Sequence, residues 1–257
     1  FTGMFDNLHI ALVQPDLAWK NKKLNLEHIE DMIFPLKQAA DIFILPELFN
    51  TAFCVDDPEL AETENGDTVS WMQQLASAKE TVVCGSLLIK EEDKIYNRFL
   101  WVDKNGIQYR YDKHHLFSLV NENESNLIYP GKNKISISYD KWEIQPFICY
   151  DLRFPAWCQN DHNVQVQIFV ASWPQKRIHH WMTLLQARAI ENQCYTIGVN
   201  RIGEDGHGHL HNGHSCSFDY KGDLLCDMQE KNGIEIVALS KEKLEKYRNQ
   251  YPFWKDR

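Results

Sequence analysis

The sequence predicts a layered α/β fold in which two sheets pack face to face with helices outside. Runs such as Phe43-Ile44-Leu45, Val82-Val83-Cys84 and Ile168-Phe169-Val170 are apolar without alternation, which suits strands covered on both faces. Segments with helical spacing separate several of these runs. Hairpin signals such as Lys104-Asn105-Gly106 are mixed among them, so the sheets are expected to be mixed. No repeat, low-complexity stretch or Gly/Ser linker marks a domain boundary.

In chain order, Leu8–Gln14 reads as a buried strand closed by Pro15. Lys22–Ala40 follows as an amphipathic helix with Leu24, Leu26, Ile29, Ile33 and Leu36 near helical spacing. Asp41–Leu45 is the second strand, 50–67 is irregular and acidic, and Thr68–Glu80 is a second helix. Thr81–Ile89, Arg98–Val102 and Ile107–Tyr111 are strands. After the loop Asn121–Tyr129 come strands at Ile135–Ser138 and Ile144–Cys149, although Pro146 cannot donate to a ladder. Val164–Ala171 is a strand, Ile178–Asn192 a helix and Tyr195–Asn200 a strand. Ser215–Met228 turns at Lys221-Gly222, and Gly233–Leu239 is the last strand.

Bulk properties narrow the function. A net charge of -9 argues against a nucleic-acid or anionic-membrane surface. No apolar stretch approaches the ~20 residues needed to cross a bilayer, and no signal peptide precedes the first strand. Seven cysteines without C-x-x-C pairs argue against a disulfide framework or a zinc knuckle and point to a reducing cytoplasm. Phe1-Thr2-Gly3, ahead of Met4, reads as an expression remnant without structural role.

Three reactive residues stand at strand ends. Cys149 ends the run from Ile144 and precedes a Pro-punctuated turn expected to lead into a helix. Glu47 follows Asp41–Leu45, and Lys113 follows Ile107–Asp112. Carboxyl ends of strands are where α/β proteins place reacting groups. A thiol, a carboxylate and an ammonium converging there make a nucleophile, its base and a cationic stabiliser.

The blocks around them, Ile44-Leu45-Pro46-Glu47-Leu48-Phe49, Tyr111-Asp112-Lys113-His114-His115-Leu116-Phe117 and Ile148-Cys149-Tyr150-Asp151-Leu152-Arg153-Phe154-Pro155, resemble the signature blocks of the nitrilase (carbon–nitrogen hydrolase) superfamily, in that family's order. Ser172-Trp173-Pro174, the helix 185–192, Gly198–Gly203 and the terminal Tyr251–Asp256 add to the likeness. Asp-Leu-Arg-Phe-Pro after the cysteine and the Pro-Phe-Trp-Lys-Asp tail look most like the omega-amidase branch, which hydrolyses amides of short 2-oxo dicarboxylic acids. The resemblance implies a four-layer αββα sandwich over residues 4–257 as one domain, a Glu47–Lys113–Cys149 triad, no metal or organic cofactor, and a homodimer or higher homo-oligomer. It also implies an accessory glutamate shortly before a Pro-Gly; Glu124 fits, with Glu122 a rival. His214 departs from the pattern, since relatives commonly carry glycine there.

The expected chemistry is hydrolysis of a small carboxylated amide, 2-oxoglutaramate or 2-oxosuccinamate, through a thioester on Cys149. An N-carbamoyl amidase, a nitrilase or a catalytically idle interaction module are the alternatives. Glu47 would serve as base, and Lys113 with the Tyr150 backbone N–H would hold the oxyanion. Arg153 would grip the substrate carboxylate with its planar fork, or else pair structurally with Asp151 or Glu191. Trp173 would wall the pocket. Arg188, Glu191 and Asn192 share a helix face and are expected to form a structural cluster. The tract His207–His214 invites a metal reading, but its glycines suggest a flexible turn and no carboxylate pattern completes a site. His114-His115 and His179-His180 read as packing or surface residues.

Overall fold

The computed structural model describes residues 7–119, 122–161 and 163–256. Its strands are β1 (Asn7–Gln14), β2 (Ile42–Ile44), β3 (Val82–Glu91), β4 (Lys94–Asp103), β5 (Gly106–Asp112), β6 (Ser118–Leu119), β7 (Glu122–Asn123) and β8 (Ile137–Tyr139). They continue with β9 (Trp142–Ile148), β10 (Val166–Val170), β11 (Tyr195–Val199), β12 (Ile202–Glu204), β13 (Leu210–Asn212), β14 (Cys216–Phe218), β15 (Leu224–Asp227) and β16 (Gly233–Ser240). The α-helices are α1 (Lys22–Ile33), α2 (Asp67–Lys79), α3 (Ile178–Asn192) and α4 (Lys241–Gln250).

One six-stranded sheet runs β16-β1-β2-β3-β4-β5, and a second runs β15-β14-β11-β10-β9-β8. Each is mixed: β1, β2 and β3 are parallel in one, β9, β10 and β11 in the other, and antiparallel strands complete both. Alternate residues of the apolar strands go to opposite layers. Ile10, Leu12, Ile42 and Ile44 join the core shared with Ile144, Ile168 and Ile197 of the second sheet. Ala11, Val13, Phe43 and Val83 pack instead with Ile29 and Ile33 of α1 and Met72 and Leu75 of α2. On the far side α3 lies so close to β11 that a Cβ at Gly198 would collide with Leu185 and Trp181. The helix–sheet–sheet–helix order is the one the sequence leads one to expect.

Several elements differ from expectation. The first helix stops at Ile33 rather than Ala40, because Pro35 has no N–H to continue the ladder and its ring crowds the preceding turn. Helix α4, unforeseen, is capped by the Ser240 side chain accepting from the Lys243 N–H. Its sequence is so polar that Leu244 and Arg248 are its buried residues. Arg248 donates to the carbonyls of Gln193 and Val164, pinning α4 to the second sheet. No α-helix follows Cys149; residues Cys149–Arg153 make a short 3-10 turn. β3 and β4 are longer than expected and meet in a hairpin at Glu92-Asp93. Pro146 is tolerated because β8 pairs with Trp142–Ile144 and has ended before it, leaving that flank of β9 without a ladder.

Candidate active site

Glu47 and Lys113 lie past the ends of β2 and β5 in one sheet, Cys149 and Ser172 past β9 and β10 in the other. The seam between the sheets brings them together. Lys113 Nζ donates to Glu47 Oε1 at 2.8 Å and to Glu124 Oε2 at 2.7 Å. All three side chains are buried, at most 1% exposed. Asn97 Nδ2 donates to Glu47 Oε1 at 2.9 Å and to Glu124 Oε1 at 3.4 Å. The backbone N–H of Ser172 donates to Glu47 Oε2 at 2.9 Å, and that of Phe117 to Glu124 Oε2 at 2.6 Å. Buried charges persist only when paired and hydrogen-bonded, and here every carboxylate oxygen has a donor.

Gly131 supports the lysine: its N–H donates to the Lys113 carbonyl at 2.8 Å, and a Cβ there would strike the Asp112 carbonyl.

Cys149 holds φ at +44°, a left-handed conformation that costs a non-glycine residue strain and must be held by its surroundings. Asp151 does the holding. Its Oδ2 accepts from the Ile148 N–H at 3.2 Å and from the Tyr111 hydroxyl at 2.7 Å, and its Oδ1 from the His115 N–H at 2.8 Å. The Glu47 carboxylate is close enough to the Cys149 thiol to act on its proton affinity. Burial, then the Glu47 charge, raises the thiol well above its ordinary range, while Lys113 pulls the other way. The resting Cys149 side chain is therefore a neutral thiol. Burial opposes the Lys113 ammonium, but Glu124 and Glu47 outweigh it and raise its pKa. Burial also raises Glu124, partly offset by Lys113.

The thiol opens onto a cavity of about 400 Å³, lined among others by Lys113, Tyr150, Arg153, Trp173 and Arg177. Arg153 pairs with neither Asp151 nor Glu191. Its guanidinium lies 4.9 Å from the Trp173 ring centroid, and its Nη2 donates to His180 Nδ1 at 3.2 Å. Glu191 is taken by Arg188 at 2.8 Å, the structural pair expected of that helix, and Asn192 Nδ2 donates to the Cys158 carbonyl. His114 and His115 stack on Trp157 and Phe154 at 3.7 and 3.6 Å, as packing residues do.

The histidines of 207–214 disperse. His207 meets Trp19 edge-on, His209 and His211 line the cavity, and His214 sits 3.0 Å from Asp227. His214 holds φ at +52°, which explains why glycine suits this position. Among the described residues no group of three or more His, Cys, Asp or Glu is placed to hold a metal ion.

Of the two glutamates left open by the sequence, Glu124 is the one bonded to Lys113; the Glu122 side chain lies outside the described residues. Sequence reasoning missed Asn97, a short amide that stands beside Arg98 in its strand and carries no signal that sets it apart. It also missed the roles of Ser172 and Phe117, which act through backbone N–H groups that no side-chain pattern announces.

The carbon–nitrogen hydrolase family profile matches residues 9–249. An omega-amidase of Yersinia enterocolitica is 37% identical over 250 residues, covering 97% of this chain and 96% of that protein. A 2-oxoglutaramate amidase of Bacillus subtilis is 30% identical over 252 residues, covering 96% of each chain. The crystal structure of a CN-hydrolase superfamily protein from Xanthomonas campestris, with an arsenic adduct in its active site, superposes with a TM-score of 0.93 at 34% identity, covering 98% of this chain and 97% of that one. With a fold, a seam and a sequence that agree over almost its whole length, the chain belongs to the carbon–nitrogen hydrolase family.

Proposed function

We propose that this amidase is an omega-amidase, hydrolysing the terminal amide of a short 2-oxo dicarboxylic acid monoamide, 2-oxoglutaramate or 2-oxosuccinamate, to the acid and ammonia. The observation that carries the reading is the cluster in which Lys113 bonds both Glu47 and Glu124 beside the Cys149 thiol, at the floor of a cavity walled by Arg153. The omega-amidase and 2-oxoglutaramate amidase relatives support the substrate class.

Glu47 has about four lone-pair sites, of which Lys113, Asn97 and Ser172 occupy three. The remaining site receives the thiol proton as sulfur attacks the amide carbon. Negative charge then develops on the carbonyl oxygen, where the Lys113 ammonium and the Tyr150 backbone N–H stabilise it. The first N–H groups of a helical turn lack intrahelical acceptors, and one preorganised donor is worth roughly 3–4 kcal/mol of barrier. Collapse breaks the C–N bond, Glu47 returns its proton to the departing ammonia, and a thioester remains. Water, deprotonated by Glu47, attacks that thioester and releases the acid and the thiol. Glu124 orients Lys113; Arg153 holds the substrate carboxylate, and Trp173 walls the acyl chain.

Ammonia release across omega-amides, N-carbamoyl compounds and nitriles tests the substrate class, with carboxylated omega-amides expected to be fastest. Cys149→Ser should lose about 10³-fold or more in turnover while folding normally. Wild-type turnover in that variant would end the reading. Arg153→Lys should raise KM sharply, and equal rates on carboxylated and neutral amides would remove Arg153 from the scheme.

Two further assignments belong to this reading. All seven cysteines are free, which supports a reducing cytoplasm. Exposed Phe253 and Trp254 near the end of the chain support assembly as a homodimer, which light scattering would read as twice the chain mass.

A further inference from the structure

The arginines of this protein divide into two groups. Arg98, Arg110 and Arg188 bond carboxylates, and Arg201 and Arg248 bond main-chain carbonyls. Among the described residues, Arg153 and Arg177 bond neither, and both line the cavity that holds Cys149. Acidic residues outnumber basic ones 36 to 27, so carboxylates are not in short supply. The one carboxylate on that wall, Asp205, is committed to its own turn, with Oδ1 accepting from the His207 and His209 N–H groups at 2.9 and 3.0 Å.

One side chain sets both arginines. The face of the buried Trp173 indole carries the Arg153 guanidinium, and its Nε1–H donates to the Arg177 carbonyl at 2.8 Å. The Arg177 guanidinium is in turn held 5.6 Å from the Phe117 ring centroid, on the segment that bonds Glu124. Aromatic faces extend a guanidinium while leaving its in-plane donors free for a planar anion. Two such forks in a half-enclosed cavity carry more positive charge than their protein neighbours cancel.

We infer that Arg177 is a second carboxylate-binding group of this pocket, acting with Arg153 to clamp the acid end of the acyl donor. The inference rests on the omega-amidase reading for the identity of that donor, but not for the anion preference itself. Specificity for the acid end then resides in a pair of arginines framed by one indole.

The test uses alkylation of Cys149, read by mass spectrometry of its peptide, with iodoacetate and iodoacetamide in parallel on the full chain. Both probes form the same carbon–sulfur bond and expel iodide, but only iodoacetate carries a carboxylate. Their rate ratio therefore measures anion attraction at the thiol, and iodoacetamide is the internal control for an intact pocket. Arg177→Ala is expected to lower the iodoacetate-to-iodoacetamide ratio about tenfold, with Arg177→Lys recovering part of it. Arg110→Ala, outside the cavity lining and bonded to Glu64, serves as the charge-loss control and should keep the wild-type ratio. An Arg177→Ala ratio equal to that of the control would overturn the inference. A lowered ratio in a protein that turns over no omega-amide would uphold the anion site and refute the substrate reading alone. Where omega-amides are turned over, Arg177→Ala should raise KM for the carboxylated amide more than it lowers kcat.

Discussion

Glu47 and Glu124 divide one ammonium between them, and that sharing has consequences for each residue. Glu124→Gln removes the anion that most raises the Lys113 pKa, so the alkaline limb of the kcat/KM profile should move to lower pH. Turnover should fall about 10²-fold, the scale of a small misplacement of a reacting group. An unmoved alkaline limb would deny Glu124 its effect on the lysine. On the cavity wall, burial and the neighbouring Arg201 depress His211 from 6.5 to about 4. The unfolded chain thus takes up a proton near pH 6.5 that the folded chain refuses until about pH 4. Stability should fall by roughly 3 kcal/mol as pH drops through that window. His211→Asn should flatten the dependence in urea melts, with little effect at pH 8. The clustered residues Glu47, Lys113 and Cys149 were legible because each stood at the end of a strand pattern, apolar before Glu47 and Cys149 and alternating before Lys113. Asn97 was not, since an amide donating to two carboxylates looks in sequence like any polar residue in a strand.

At the scale of elements, patterning was read well where apolar residues dominate and poorly where they do not. The strands β1, β2, β10 and β11 and the helix α3 were plain, because their residues are buried on two layers or along a stripe. Helix α4 was invisible, since a cap, Leu244, Tyr247 and Arg248 hold it and its remaining residues are polar. Leu244 is fully buried, so Leu244→Ala should cost about 2–4 kcal/mol in denaturant unfolding. KM should not change, because α4 is bonded beside the starts of β10 and β11, whereas Ser172 and the cavity lie past the end of β10. A loss below 1 kcal/mol would mean that α4 is carried by its arginine alone. The overlong reading of α1 came from following its apolar spacing past Pro35, whose missing N–H interrupts the ladder whatever the periodicity.

At the scale of the whole molecule, the two sheets are joined by the same bonds that shape the site. The Ser172 N–H reaches Glu47 across the seam, and the Tyr111 hydroxyl of β5 reaches Asp151 under the cysteine. Tyr111→Phe should therefore do two things at once. It should destabilise the fold by about 1–3 kcal/mol, the cost of leaving a buried acceptor short of a donor, and it should lower kcat by loosening the backbone at Cys149. Destabilisation with unchanged kcat would separate sheet packing from the backbone at Cys149. The face-to-face sheets could be anticipated from two-sided apolar strands, but the seam bonds could not, because they join residues such as Glu47 and Ser172 that lie 125 positions apart. That separation has a temporal consequence. A nascent polypeptide that has emerged only as far as its cysteine still lacks the Ser172 amide that bonds Glu47. The buried cluster beside the thiol can therefore close only once Ser172 has left the ribosome.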